Sequence, residues 1–194
     1  MSIIIAMCTY ALTMSISPGP VNVITMTSGL NHGIYRTIPF VAGATIGFTL
    51  LLFAVGLGAT ELITLFPQAM NGIGYVGAAF MLYLAYKIAF STGTISFEEK
   101  SEPGFYQGML LNILNPKAWI ASISGVTAFT TKGDPSSLFL FCGLYFVICF
   151  IGVGTWAVVG RQAKIFVQTE KHLRLFNIFM GTGLAAVALY LLFV

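Results

Sequence analysis

Four runs of the chain carry no charged side chain: Thr37 to Thr60, Leu62 to Tyr86, Pro135 to Gly160 and Leu175 to Val194. Each is long enough for the ~20 residues an α-helix needs to cross a bilayer. Each is also apolar on all sides, so it has no polar stripe to turn toward water. Two further spans, Ser2 to about Gly29 and Phe105 to Thr130, complete an expected set of six, and the second of them carries one charge, Lys117, near its middle. The stretches Leu30–Ile38, Gly58–Gln68, Thr92–Gly104, Thr131–Ser137 and Arg161–Arg174 read as connections. They leave no room for a soluble unit, so residues 1–194 are expected to form a single transmembrane domain.

Other classes fail on composition. Charged residues make up 8% of the chain, against roughly 25% in soluble domains. Disorder requires low hydrophobicity and high net charge, neither of which is present. The formal charge of +3 is scattered, which argues against a nucleic-acid partner. A β-barrel needs alternating segments of about ten residues, whereas these runs are continuous. A cleaved leader is not expected, because no basic segment precedes the first apolar run and no A-x-A site follows it. Cys8, Cys142 and Cys149 lie inside spans without CxxC spacing and read as small core residues.

Lysine and arginine set the expected orientation. Arg36, Lys87, Lys100, Arg161, Lys164, Lys171 and Arg174 fall in the first, third and fifth connections, and only Lys132 falls in the second and fourth. The positive-inside rule then puts the odd loops in the cytoplasm and both termini outside, with Glu98, Glu99 and Glu102 weighing little.

Shifting the chain by 96 residues brings Gly19-Pro20 onto Asn115-Pro116, Ser28-Gly29 onto Ser124-Gly125, and Gly56-x-Gly58 onto Gly152-x-Gly154. Two halves of three spans, residues 1–97 and 98–194, would enter the membrane from opposite sides, which makes an inverted repeat. Coincidence among common membrane residues is the alternative.

The chemistry concentrates where the matching prolines fall. Ser17-Pro18-Gly19-Pro20 and Asn115-Pro116-Lys117 lie inside the first and fourth spans. Proline removes an N–H and clashes with the preceding turn, so both spans should break there. Pro20 and Pro116 read as first helical residues, with Gly19 and Asn115 as their N-caps. Free N–H groups at the new helix starts suit a carboxylate, and the carbonyls ending the preceding half-helices suit an ammonium, so a zwitterion fits both. The prolines alternatively do no more than bend their helices.

Lys117 costs ~2.5–3.5 kcal/mol at a span centre, an expense usually tied to a pathway or partner; nearer the interface it would snorkel instead. Asn22 and Asn115 are candidate cavity residues, joined by Asn112, whose (i, i+3) spacing to Asn115 suggests one helix face. Each could instead bridge helices. Gly43 and Gly47 read as a GxxxG packing face, and Tyr75, Tyr83 and Tyr145 as interfacial or packing residues. Glu61 is placed in an outer loop, and His32 and Arg36 in a solvated cytoplasmic turn.

Ser17-Pro18-Gly19-Pro20, His32-Gly33, Ala42-Gly43 and Asn112-Ile113-Leu114-Asn115-Pro116-Lys117 together resemble the LysE/RhtB family of amino-acid exporters, over essentially the whole chain. Tyr86-Lys87-Ile88-Ala89 and Gly125-Val126-Thr127-Ala128 are most similar to its members that export cysteine and O-acetylserine. The resemblance implies a bacterial inner-membrane exporter of amino acids or their derivatives, of cysteine, O-acetylserine, homoserine or threonine type, working by proton antiport.

The residues themselves nominate Ser17, Pro18, Gly19, Pro20, Asn22, Asn112, Asn115, Pro116 and Lys117 for substrate binding. No carboxylate falls mid-span, which leaves Lys117 as the candidate titrating group. No cofactor and no catalytic residue is expected. An exporter of another small solute or metal ion, and a non-transporting helper subunit, stay open, although His32 and His172 are too far apart in sequence to suggest a metal site.

Overall fold

The computed structural model describes residues 3–59, 67–90, 103–131, 134–163, 165 and 169–193. Among these, helices account for every regular element: α1 (Ile3–Ile16), α2 (Pro20–His32), α3 (Ile34–Ala54), α4 (Pro67–Ala89), α5 (Phe105–Ile113), α6 (Pro116–Phe129), α7 (Pro135–Ala163) and α8 (Glu170–Phe193). Glu61, Glu98, Glu99, Lys100, Glu102, Lys132 and Lys164, which enter the loop and orientation arguments, lie outside the described residues.

Among the described residues, three helices are long and apolar enough to cross a membrane unaided: Ile34–Gly58, Pro135–Ala163 and Glu170–Leu189. A fourth crossing comes from α1 and α2 if that bent pair is one span, the two helices meeting at 62°. Helices α1, α5 and α6 have 14, 9 and 14 residues. At 1.5 Å per residue none exceeds about 21 Å, short of a hydrocarbon layer of about 30 Å.

The connections differ from expectation in one respect. Leu30–Ile38 is not a loop: α2 continues to His32, α3 begins at Ile34, and only Gly33 separates them, at φ 83°. Glycine reaches that conformation without the clash a Cβ would bring. Similarly, α7 runs past Arg161 to Ala163, and α8 starts at Glu170, ahead of the apolar run. A helix satisfies its own backbone inside and outside the lipid, so its ends need not coincide with the apolar boundary. After Ala54 the chain makes a π turn, Val55–Ala59, which ends the span with Gly58 at φ 107°.

The surface is apolar, with Leu50, Phe139, Val147, Ile151 and Phe179 all exposed, as suits a lipid solvent. Lipid offers little hydrophobic drive between helices, so contact depends on small residues that let backbones approach. Gly43 lies against the Phe105 backbone and Gly108 against Phe40, locking α3 to α5. Gly29 and Gly160 do the same for α2 and α7, meeting the Ala157 and Met26 backbones. Gly181 seats α8 on α4 at Ala85. Gly47 meets the Met109 backbone, so the GxxxG pair is a packing face, as its spacing suggests.

Candidate functional site

Both proline motifs break their helices. The chain leaves α1 at Ile16 and re-enters a helix at Pro20 with Gly19 as N-cap. It leaves α5 at Ile113 and re-enters at Pro116 with Asn115 as N-cap. The breaks face one cavity, open on one side. Its volume is about 50 Å³, enough for a few waters.

Gly19, Pro20, Asn22, Asn112, Asn115 and Lys117 line this cavity. Ser17 and Pro18 stand behind it as partners of Lys117. Pro116 starts α6 without being part of the wall.

Lys117 Nζ crosses from the second break to the first. It donates to Ser17 Oγ at 2.7 Å, Ser17 O at 3.0 Å and Pro18 O at 3.0 Å. Among the described residues it is the one charged side chain on the cavity wall. The other carbonyls of the first break are also taken. Asn22 Nδ2 donates to Ser15 O at 2.9 Å and Ser17 O at 2.8 Å, and Trp156 Nε1 donates to Ile16 O at 3.1 Å. At the second break Trp119 Nε1 donates to Ile113 O at 2.8 Å. Unpaired backbone groups would be costly away from water, and the chain meets the cost with two indoles, an amide and an ammonium.

The two helix starts are not equivalent, which corrects the expectation of two open N-termini. At α6 the cap closes on itself: Asn115 Oδ1 accepts Lys117 N–H at 3.1 Å, and Asn115 O accepts Ala118 N–H at 2.9 Å and Trp119 N–H at 3.3 Å. At α2 Gly19 has no side chain to cap with. Val23 N–H already donates to Gly19 O at 3.0 Å, and Pro20 has no N–H. The groups left without a helical partner are Val21 and Asn22 N–H, both beside the cavity.

Asn112 and Asn115 do not share a helix face, because α5 ends between them. Asn112 Nδ2 instead donates to Ala44 O on α3 at 2.6 Å, and both asparagines still reach the cavity. Asn22 Oδ1 is buried and has no partner. Its orientation is dictated by its neighbours, since swapping O and N would aim an oxygen at two carbonyl oxygens.

Sequence reasoning missed the wall supplied by α7: Tyr145, Cys149 and Val153, four residues apart. Tyr145 is buried and stacks on Phe48 at 4.4 Å, so it is a packing residue that also bounds the cavity, while Tyr75 and Tyr83 are exposed. The only available signal was the (i, i+4) stripe, which looks the same for a core face. Cys142 and Cys149 are buried, whereas Cys8 is half-buried; all three are free thiols.

A second cavity lies where the π turn meets the start of α7, lined by Leu57, Thr127, Thr130, Asp134 and Leu138 among others. The Ser136 N–H, 3.0 Å from Asp134 Oδ1, holds this exposed carboxyl below the usual carboxylate range.

Broken helices that meet at one cavity holding a charged side chain are a feature of secondary transporters. The family model described as LysE type translocator matches residues 12–194. The chain belongs to the LysE type translocator family. A cysteine/O-acetylserine efflux protein of Klebsiella pneumoniae subsp. pneumoniae is 30% identical over 165 residues, covering 82% of this chain and 83% of the relative. Proteins of the same description from Salmonella choleraesuis and Escherichia coli O157:H7 are 26% and 24% identical, over 86% and 88% of this chain and 85% and 89% of theirs. No solved structure matches the chain. This LysE-family chain is therefore a multi-pass membrane transporter, not an enzyme.

Proposed function

We propose that this translocator is a bacterial inner-membrane exporter of small zwitterionic amino acids, with cysteine and O-acetylserine as the first candidates from the relatives' names. The observation that carries the reading is the Lys117 ammonium held on the carbonyls of the opposite broken helix, beside a cavity that no carboxylate lines among the described residues. The substrate carboxylate binds between Lys117 and the free N–H groups of Val21 and Asn22. Gly19, Pro20, Asn112 and Asn115 complete the wall, and Ser17, Pro18 and Pro116 hold the two breaks open. Small differences in the α7 wall set the substrate preference.

The architecture in this reading is six spans in two inverted halves, residues 1–97 and 98–194. The packing pattern supports it. The first broken span lies against α7, the second against α3, and α4 packs on α8; a two-fold relation between the halves exchanges the first two pairs and returns the third to itself. Rocking of the halves about the cavity carries the substrate outward. The second cavity serves as the outer vestibule; it includes Thr130, thirteen residues along α6 from Lys117 and so about 20 Å away. Exchange against protons uses Lys117 as the titrating group.

The test is efflux from cells overexpressing the chain, loaded in turn with a panel of labelled amino acids. Faster export of cysteine or O-acetylserine than in cells carrying empty vector is expected, and should depend on Lys117. Equal rates across the whole panel would overturn the reading.

A further inference from the structure

Ser17 O, Ser17 Oγ and Pro18 O form a ready-made cradle for a primary ammonium, and the chain's own Lys117 fills it, with Nζ at 3.0, 2.7 and 3.0 Å from the three acceptors. The side chain also lies close across residue 19: a Cβ there would come within 3.1 Å of Nζ and 3.4 Å of Cδ, so any larger residue makes the lysine stem shift. Beside the cradle, Asn22 Oδ1 is a buried acceptor without a donor, on a residue that is 4% exposed and lines the cavity. Among the described residues, no carboxylate stands on the cavity wall to neutralise Lys117.

Resting on the exporter reading, we infer that the Lys117 ammonium is a tethered stand-in for the substrate's ammonium, and that binding is an exchange of ion partners. In the empty site the lysine sits on the carbonyls. An arriving zwitterion offers a carboxylate, a stronger partner for Lys117 than neutral carbonyls are. Lys117 turns to it and leaves the cradle, and the substrate ammonium takes the vacated acceptors together with Asn22 Oδ1. No bond forms or breaks, and both cations keep partners at start and finish. A ligand with only one charged end fails: an amine finds the cradle filled, and a carboxylate draws Lys117 away from acceptors that are then left bare. The exchange thereby selects for both ends of an amino acid. Because Lys117 joins the two halves across the breaks, it also makes release of that tether conditional on substrate.

The experiment needs no transport. Lys117→Ala removes three carbons and the nitrogen, so n-propylammonium replaces the missing atoms. The purified full chain in detergent is titrated with propylammonium chloride, with tetramethylammonium chloride at equal ionic strength as control, and Tm is followed. Lys117→Ala is expected to show a saturable rise in Tm at a propylammonium concentration at least tenfold below any effect in the wild type. Tetramethylammonium, which has no N–H to donate, should do nothing. Lys117→Gly opens the same vacancy, enlarged by the Cβ, and serves if the alanine variant does not purify as a single species. Equal midpoints in wild type and variant, or equal effects of the two cations, would overturn the inference while leaving the exporter reading to its efflux test. Loss of export with the propylammonium response intact would do the reverse.

Discussion

The Nζ of Lys117 lies 2.7 Å from the Oγ of Ser17, a residue one hundred positions earlier in the chain. This contact ties the second broken helix to the first, and it makes the two residues unequal in consequence. Lys117→Gln removes the charge and puts a shorter, neutral amide in place of the ammonium, whereas Ser17→Ala leaves two carbonyl acceptors in place. Hydrogen bonds to charged groups contribute about 1.5–3 kcal/mol each. Efflux by Lys117→Gln and Lys117→Ala should therefore fall more than about tenfold at equal expression, and by Ser17→Ala much less. Wild-type export from both lysine variants would remove Lys117 from the site.

Asn22 is expected to act on stability before function. Its amide holds Ser15 O and Ser17 O, the carbonyls exposed where α1 ends. Asn22→Leu strands Ser15 O in an apolar setting, at about 1–3 kcal/mol, while Ser17 O keeps its bond from Lys117. The variant should melt well below the wild type in detergent, and Asn22→Ser, which retains one donor, should fall between them. Equal melting temperatures would show that the break is held elsewhere.

How much of this was legible in the sequence depended on the range of the interactions. Proline and glycine act on their own backbone, so the breaks at Gly19-Pro20 and Asn115-Pro116 follow from local sterics alone. The glycine contacts of α3 were readable from their spacing because close approach of helices demands small residues wherever they meet. What closes the breaks was not readable. Trp156 reaches Ile16 from 140 residues away, and nothing near either residue signals the pairing. The Asn112–Asn115 face failed for a related reason: the spacing argument assumed a helix that Pro116 had already ended. The asymmetry of the two helix starts turns on whether the cap residue has a side chain, a difference visible in Gly19 and Asn115 once both are seen as caps.

The indoles give a matched pair of tests. Trp119→Phe and Trp156→Phe each keep an aromatic ring and remove one N–H donor, to Ile113 O and Ile16 O respectively. Trp119 is buried and Trp156 is half-exposed, so the lost partner is harder to replace at the second break. Trp119→Phe should cost about 1–3 kcal/mol and Trp156→Phe less, read as the shift in thermal midpoint. The reverse ranking would mean that the first break is the drier of the two.

Glycine packing separates contact from composition. A Cβ at Gly43 would run into the Phe105 backbone, which has no side-chain freedom with which to yield, while one at Gly143 meets nothing within 4 Å. Gly43→Ala should therefore push α3 from α5 and lower both Tm and folded yield. Gly143→Ala should be neutral or slightly stabilising, because alanine is favoured over glycine in a helix interior by about 1 kcal/mol. Equal tolerance at both sites would show that α3 and α5 are not in contact in the membrane.

Orientation is decided by two exposed positions at opposite ends of α3. Tyr35 lies in its first turn and is 83% exposed, beside Arg36 in the connection placed in the cytoplasm. Thr131 is exposed and lines the second cavity together with Val55 and Gly58, which follow the far end of α3. Twenty-one residues separate the ends of that helix, about 30 Å and so the thickness of the hydrocarbon layer. Single cysteines at these positions should report opposite faces. An impermeant maleimide should label Thr131→Cys in intact cells and Tyr35→Cys only after the membrane is opened. Cys142 and Cys149 are buried and Cys8 half-buried, so a variant carrying only the native thiols sets the background. Labelling in the opposite order would invert the chain, place the second cavity in the cytoplasm, and turn the proposed outer vestibule into the entrance for substrate.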